Sequence, residues 1–232
     1  MKNKEKVCVD CGGIKPEMTV KCKNGITELV FIIDRSGSMA GFEADTIGGF
    51  NSTIEKQKEQ EGKVYVSTVL FDDSNEVIHD RVDINTVKPM TRGDYWVRGC
   101  TALLDAVGGA IHHIGNVHKY ARPEDVPEHT IFVITTDGME NASRRYSYED
   151  IKRKIKRQTE KHGWEFIFLA ANIDAAETAE NIGIRRERAA NYRQTSEGVE
   201  KSYYAMSAAI TTVRNCCADE MDLEKYLNED EK

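Results

Sequence analysis

The chain has 232 residues, of which 40% are hydrophobic and 31% are charged, a balance typical of a folded globular protein and not of a disordered one. Its formal net charge of -7 argues against binding the phosphate backbone of nucleic acids as a main role. No apolar stretch approaches the length needed to span a bilayer, so we expect no membrane segment. The length suits one α/β domain with a sizeable core.

The N-terminal segment, residues 1–25, is a lysine-rich lead-in that carries Cys8, Cys11 and Cys22. Cys8-x-x-Cys11 followed by Cys22 has part of the spacing of a zinc site, but no fourth ligand lies nearby. The alternative, which we favour, is an extended lead-in whose cysteines are free thiols. No apolar run follows the first lysines, so we expect no signal peptide and a cytoplasmic protein with reduced cysteines.

The most informative segment is the apolar run over residues 29–33, which predicts a buried parallel strand. Asp34, Ser36 and Ser38 follow at alternate positions, with Gly37 between the two hydroxyls. Open α/β sheets place their ligands at the carboxyl ends of strands. One carboxylate with two neutral hydroxyls suits Mg²⁺ or Mn²⁺ and leaves the ion electrophilic toward a further oxygen ligand.

The rest of the chain alternates strands and helices, which predicts an α/β fold with a doubly wound, mostly parallel central sheet flanked by helices. Further strands are predicted over residues 63–71, 76–82 (an edge or hairpin strand), 130–136, 165–171 and 189–192. Helices are predicted over residues 43–60, 101–118, 148–161, 172–181 and 196–215. We therefore expect one domain over residues 26–214, followed by an acidic tail over residues 215–232.

Asp34-x-Ser36-x-Ser38 after a hydrophobic strand resembles the metal-ion-dependent adhesion site (MIDAS) of von Willebrand factor A (vWA) domains. The family pattern continues with a threonine in a loop before a helix and an aspartate after a later strand. Residues 99–106 resemble the threonine loop, and residues 130–138 resemble the strand that precedes the aspartate. The resemblance covers roughly residues 26–214. It implies a metal site formed by Asp34, Ser36, Ser38, Thr101 and Asp137.

One residue departs from the family pattern. Cys100 stands directly before Thr101, where the family more often has glycine. A thiol is small, so we expect it to pack at this position.

The resemblance implies a cytoplasmic, bacterial-type vWA domain, a Mg²⁺-dependent (or Mn²⁺-dependent) protein-binding module and not an enzyme. A carboxylate exposed on a partner protein would complete the coordination of the ion, and family members of this kind assemble or regulate larger complexes. The sequence names neither the partner nor the oligomeric state.

The alternative is a Mg²⁺-dependent phosphotransferase or phosphatase on a related α/β sheet. Such enzymes usually carry a second aspartate two residues after the first as general acid, and here that position is Ser36. The chain contains neither a phosphate-binding glycine loop nor a nucleophile elbow. We therefore favour the binding module.

Four residues flank the proposed metal loops, and two interpretations stay open for each pair. Arg35 and Arg98 either attract an acidic ligand or offset the local acidic charge. Tyr95 and Trp96 either form a contact surface at the rim of the site or anchor their loop to the core.

Glu140 and Asn141 lie just beyond Asp137 and Gly138. They contact either a partner or a water on the ion, or they belong to a solvated polar loop. The sequence does not decide between these interpretations.

The last predicted helix, over residues 196–215, raises a question of movement. In the vWA family, ligand binding at the metal can couple to displacement of the C-terminal helix. The apolar face here is rich in alanine and tyrosine. The helix is therefore either movable or a fixed cover over the sheet.

Overall fold

The structure is a computed structural model that describes residues 25–215 and 218–228. The partial zinc spacing of Cys8, Cys11 and Cys22 lies outside these residues, so the expectation of free thiols there stays a prediction.

Six strands form one sheet with the order β3-β2-β1-β4-β5-β6. All neighbouring strands are parallel except β2 and β3, which form an antiparallel pair at one edge. The strands are β1 (Ile26–Asp34), β2 (Lys63–Phe71), β3 (Asn75–Asp83), β4 (His129–Thr136), β5 (Glu165–Ala170) and β6 (Ala189–Asn191). The predicted fold class, a mostly parallel α/β sheet flanked by helices, is confirmed.

Both faces of the central strand β1 are buried, which explains its continuous apolar run. Leu29, Phe31 and Ile33 point into the core on one face of the sheet, and Val30 and Ile32 point into the core on the other. Alternation of side chains along a strand thus assigns successive residues to two separate cores.

Helices cover the two faces of the sheet. They are α1 (Glu43–Lys58), α2 (Leu103–Tyr120), α3 (Tyr148–His162), α4 (Ala175–Ile182), α5 (Ser196–Arg214) and α6 (Leu223–Asn228). Helices α1, α5 and α6 pack on one face, and α2, α3 and α4 pack on the other. Short 3₁₀ helices cover Gly37–Met39, Ile84–Thr86, Pro123–Asp125, Arg186–Arg188 and Ala218–Glu220. None of the helices in the described ranges has both the length and the apolar character needed to cross a membrane.

Capping side chains explain where several helices begin and end. Helix α3 begins with a capping box, in which Ser147 and Asp150 each bond the backbone N–H of the other. It ends at Gly163, whose φ of 64° lies in the left-handed region that favours glycine. Asp174 and Thr195 cap α4 and α5 in the same way as Ser147 caps α3.

Helix α6 was not predicted from the sequence, which indicated only an acidic tail over residues 215–232. The described part of that segment packs on the core through Met221 and Leu223. Arg188 stabilises this arrangement, since its buried guanidinium donates to the carbonyl oxygens of Ala218 and Met221 and pairs with Glu165. A buried arginine with several acceptors can satisfy carbonyls that would otherwise lose their hydrogen bonds to water.

The order of the strands determines where a ligand site can form. From β1 the chain proceeds outward to β2 and β3, and it then returns to place β4 on the other side of β1. The loops after β1 and β4 therefore leave the sheet toward opposite faces, and a crevice opens between them. Asp34 is the last residue of β1, and Asp137 directly follows β4.

Candidate metal centre

The five residues predicted to hold a metal all lie at this crevice. Asp34 ends β1, and Ser36 and Ser38 lie in the loop that follows it. Asp137 follows β4, and Thr101 lies two residues before α2. All are buried except Ser38, which is exposed and marks the side of the site that faces solvent.

Hydrogen bonds and close approaches join four of these side chains into one group. The Ser36 and Ser38 hydroxyl oxygens lie 3.0 Å apart, and Ser38 Oγ donates to Asp137 Oδ1 across 2.5 Å. A methyl group at Gly138 would lie 3.2 Å from Thr101 Oγ1 and 3.3 Å from Ser38 Oγ, so both hydroxyls approach this glycine closely. The structure thus brings together oxygen atoms from three separate segments of the chain.

The Asp34 carboxylate is held by two short hydrogen bonds. The Ser36 backbone N–H donates to Oδ1 across 2.7 Å, and Thr136 Oγ1 donates to Oδ2 across 2.6 Å. Burial nevertheless raises the pKa of Asp34 to about 6, and the nearby Asp137 carboxylate adds to this effect. The ionised form of Asp34 is therefore only partly compensated by its protein neighbours.

Asp137 has a partner that the sequence analysis missed. Gln194 Nε2 donates to Asp137 Oδ2 across 2.6 Å, while Ser38 bonds the other carboxylate oxygen. Burial raises the pKa of Asp137, although the hydrogen bonds from Ser38 and Gln194 act in the opposite direction. Gln194 lies in the loop before α5, and nothing in its local sequence distinguishes it from an ordinary loop residue.

Glu140 and Asn141 hold the backbone around Thr101, a role that neither of the two interpretations from the sequence includes. Asn141 Oδ1 accepts from the Thr101 N–H across 2.9 Å. Glu140 accepts from the Leu104 N–H at the start of α2 and from the N–H and hydroxyl of Ser143. Glu140 thus caps α2 from another loop, since Ala102 at the N-cap position has no capping side chain.

Asp105 completes the connection between these two loops. Its carboxylate accepts from the backbone N–H groups of Arg144, Arg145 and Tyr146, across 2.9–3.0 Å. Each of the two segments, the start of α2 and the loop after β4, therefore supplies a carboxylate that accepts hydrogen bonds from the other segment. This arrangement fixes Thr101 relative to Asp137.

Arg35 and Arg98 offset local acidic charge. Arg35 is fully buried, and its guanidinium lies 2.8 Å from Asp72 and 2.5 Å from Glu76. Arg98, which is half exposed, lies 2.9 Å from the same Asp72 oxygen. Burial opposes ionisation of Asp72, but hydrogen bonds from Arg98 and Ser74 outweigh it and hold the pKa of that carboxyl well below its usual range.

Tyr95 and Trp96 divide between the two roles considered for them. Tyr95 is buried, and its hydroxyl donates to the Asp34 carbonyl oxygen across 2.7 Å, so it anchors the loop under the site. Trp96 is 40% exposed, and the guanidinium groups of Arg35 and Arg98 lie 5.3 and 5.6 Å from its ring centroid. Trp96 is therefore available on the surface while its ring is held by cation–π contacts.

Cys100 is exposed, so the expectation that its thiol packs was wrong. The loop takes its left-handed residue one position earlier, at Gly99, which has a φ of 67°. A methyl group at Gly99 would lie 2.5 Å from Asp73 Oδ1. Because Gly99 meets the conformational need of the loop, position 100 accepts a cysteine that points outward.

The group of side chains suits a hard divalent cation. Two carboxylates and three hydroxyls offer only oxygen donors, which Mg²⁺ and Mn²⁺ prefer. No lysine, arginine or histidine within the described ranges forms an ion pair with Asp34 or Asp137. The same part of the chain has no cluster of three or more His, Cys, Asp or Glu side chains able to hold a metal. Any ion here would therefore depend on the hydroxyls.

Comparison with solved structures identifies the fold. The chain is similar to proximal thread matrix protein 1 from the mussel byssus, with a TM-score of 0.53 and 14% identity over 84% of this chain and 47% of that chain. A structure of the same mussel protein with a zinc-occupied MIDAS motif also gives a TM-score of 0.53 and 14% identity, over 84% and 46% of the two chains.

A second relative in structure is a von Willebrand factor type A protein from Catenulispora acidiphila, with a TM-score of 0.52 and 12% identity over 79% of this chain and 42% of that chain. The chain therefore has the vWA fold. The matched region is less than half of the length of each of these solved chains. A search with protein-family models and a search of curated proteins gave no match.

Proposed function

We propose that this chain is a protein-binding module that uses a divalent cation, Mg²⁺ or Mn²⁺, to engage a carboxylate of its partner. The proposed ligands are Asp34, Ser36, Ser38, Thr101 and Asp137. The convergence of these side chains between β1 and β4 is the observation that carries the proposal. The zinc-occupied MIDAS of the mussel protein, which has a similar fold, supports it.

The charge of the site favours completion by an external ligand. Three of the five proposed ligands are neutral hydroxyls, which add oxygen donors without neutralising the charge of the ion. The ion would therefore stay electrophilic toward a further oxygen. Ser38 is exposed, so the open side of the site would face solvent and a partner.

Apolar surface next to the site supports a protein partner over a small anion. Met139, two residues beyond Asp137, is 72% exposed, and Trp96 is 40% exposed beside Arg98. Exposed aromatic residues and methionine are enriched at protein interfaces. We propose that the partner presents an acidic residue with an apolar neighbour that packs on this surface.

The enzymatic alternative has less support. Ser36 stands where a phosphotransferase of the expected type has its acidic residue, and a hydroxyl of ordinary pKa cannot protonate a leaving group efficiently. Phosphatase activity that disappears in Asp34→Asn would favour the enzyme. The cytoplasmic location stays a prediction.

A capture experiment tests the proposed function. The immobilised protein is exposed to a cell extract in Mg²⁺ or in EDTA, with Asp34→Asn as the matched variant. Each captured protein is then produced with single Asp→Asn or Glu→Gln changes. We expect a partner that is retained only by the wild type in Mg²⁺ and is lost on one such change. Equal retention in EDTA would contradict the proposal.

A further inference from the structure

Both oxygen atoms of the Asp137 carboxylate are already bonded by protein groups. Oδ1 accepts from the Ser38 hydroxyl across 2.5 Å, and Oδ2 accepts from Gln194 Nε2 across 2.6 Å. The same Gln194 nitrogen lies 3.0 Å from the Ser38 carbonyl oxygen, to which it also donates. Gln194 therefore contacts two of the five proposed ligand residues, although it lies 57 positions from Asp137 along the chain.

A second amide holds Gln194 in place. Asn172 Nδ2 donates to Gln194 Oε1 across 2.6 Å, and it lies 3.5 Å from the Asp137 carbonyl oxygen. Asn172 follows β5 and adopts a φ of 56°, a left-handed conformation that asparagine tolerates better than most residues. We call this pair, Asn172 and Gln194, the amide relay.

We propose that Gln194 is a positioning residue of the metal centre and that the amide relay sets its affinity for the cation. This inference rests on the proposed function. By fixing the Asp137 carboxylate, the relay directs the Ser38 hydroxyl hydrogen toward Asp137. Since Ser38 has only one hydroxyl hydrogen, Ser36 is then the donor in the 3.0 Å contact between the two serines, and one lone pair of the Ser38 oxygen stays available for the ion.

The chemistry of an amide suits this role. A carboxylate at position 194 would repel Asp137, and a lysine would cancel the negative charge that attracts the cation. The glutamine amide donates a hydrogen bond and leaves the charge of the site unchanged. Partners that orient the ligands of a metal typically change metal affinity by 10–100-fold when they are removed.

The start of α5 gives Gln194 a rigid attachment. Gln194 directly precedes Thr195, whose hydroxyl caps α5 by accepting from the Gly198 N–H across 3.1 Å. The Thr195 N–H also donates to the Arg193 carbonyl oxygen across 2.8 Å. A side chain that leaves the backbone at such a bonded turn can hold a carboxylate in one orientation.

Calorimetric titration with MgCl₂ alone tests the relay in two variants. We expect Gln194→Ala to weaken Mg²⁺ binding by roughly 10-fold or more. Asn172→Gly keeps the left-handed backbone accessible and removes the second amide, so it should weaken binding by a smaller factor. Chemical denaturation of each variant in EDTA checks that the fold is intact.

Ser196→Ala is the matched control. It removes a hydrogen bond of 2.8 Å to Asp45 from the same loop and helix start, but it removes no contact with Asp137. Its Mg²⁺ affinity should equal that of the wild type. If Ser196→Ala weakens binding as much as Gln194→Ala, the role of Gln194 is merely structural. If Gln194→Ala binds Mg²⁺ as tightly as the wild type does, the proposed role of the amide relay is wrong but the metal site can stand. If the wild type does not bind Mg²⁺, the proposed metal site is wrong as well.

Discussion

The Arg35 guanidinium and the Asp72 carboxylate, neither of which has any solvent-exposed surface, lie 2.8 Å apart behind the loop that carries Ser36 and Ser38. The Arg35 N–H also donates to the Phe71 carbonyl oxygen, and its own carbonyl oxygen accepts from the Arg98 N–H. The pair thus joins the loops after β1 and β2 to the loop before α2. The loop that carries Ser36 and Ser38, two of the proposed metal ligands, is therefore attached to this buried charge cluster.

The first prediction concerns this cluster. Asp72→Asn should lower the free energy of unfolding by about 3 kcal/mol or more, since it leaves Arg35 buried with less compensation. Arg98→Ala removes the half-exposed residue of the cluster and should lower the free energy of unfolding by about 1 kcal/mol or less. Urea denaturation in EDTA measures both. Equal losses for the two variants would contradict the account.

The second prediction concerns the pH dependence of the metal-free protein. Burial raises the pKa of Asp34 from 3.8 to about 6, so the folded state favours the protonated carboxyl. The resulting stabilisation is fully present below pH 3.8 and is lost as the pH rises through about 6. Relative to Asp34→Asn, the wild type in EDTA should lose about 2 kcal/mol of unfolding free energy between pH 4 and pH 7.

Magnesium provides the control for this experiment. A cation binds the ionised carboxylate, so saturating Mg²⁺ at pH 7 should restore stability to the wild type and leave Asp34→Asn unchanged. A difference between the two proteins in EDTA that does not vary with pH would show that Asp34 ionises normally.

Much of the fold could be predicted, because periodic patterns of apolar residues indicate most of its strands and helices. β2 begins and ends where the β-branched run over residues 63–71 predicts, and β1 follows from its apolar run. The mostly parallel character of the sheet follows from alternating strands and helices, whereas the order of the strands was not predicted. Helix α6 was not predicted because its six residues are too few to show a helical period and lie in an acidic segment.

The surroundings of the site could not be predicted in the same way. The contact between Gln194 and Asp137 and the capping of α2 by Glu140 join single polar residues that are far apart in sequence. Such contacts depend on the packing of whole elements and leave no periodic trace. The burial of Arg35 likewise depends on Asp72, which follows β2, and on Glu76, which lies at the start of β3.

The third prediction concerns the hydroxyl of Thr101. Thr101→Val keeps the shape of the side chain and removes one proposed ligand. Mg²⁺ affinity should therefore fall by roughly 10-fold or more, which is at least the loss typical of residues that only orient a ligand. Thr130→Val is the matched control, because Thr130 is also a buried threonine but lies on β4, away from the proposed ligands. It should leave Mg²⁺ affinity unchanged. An unaltered dissociation constant in Thr101→Val would remove this residue from the site.

A buried polar network connects α5 to α1 and favours a fixed cover over a movable helix. Gln57 Nε2 donates to the Ser207 carbonyl oxygen across 3.2 Å and to Thr211 Oγ1 across 3.1 Å. Arg214 donates to Gln57 Oε1 across 2.8 Å and to the Glu61 carbonyl oxygen across 3.1 Å. Displacement of α5 would break these bonds in a buried setting, which is costly.

The fourth prediction follows from this network. Mg²⁺ should not speed hydrogen exchange of the amides over residues 199–213, since ion binding stabilises the whole native state. Gln57→Leu should lower the free energy of unfolding by about 1–3 kcal/mol, and by the same amount in Mg²⁺ as in EDTA. Faster hydrogen exchange along α5 in Mg²⁺ would indicate a movable helix. So would a loss of unfolding free energy in Gln57→Leu that differs between Mg²⁺ and EDTA.

The proposed function requires that the five oxygen-bearing side chains at the crevice bind a divalent cation. Calorimetric titration with MgCl₂ measures this binding. The protein is first freed of metal with EDTA and desalted, and Asp34→Ala is measured in parallel. We expect one ion per wild-type chain and no saturable binding by Asp34→Ala. Identical titrations for the two proteins would contradict it.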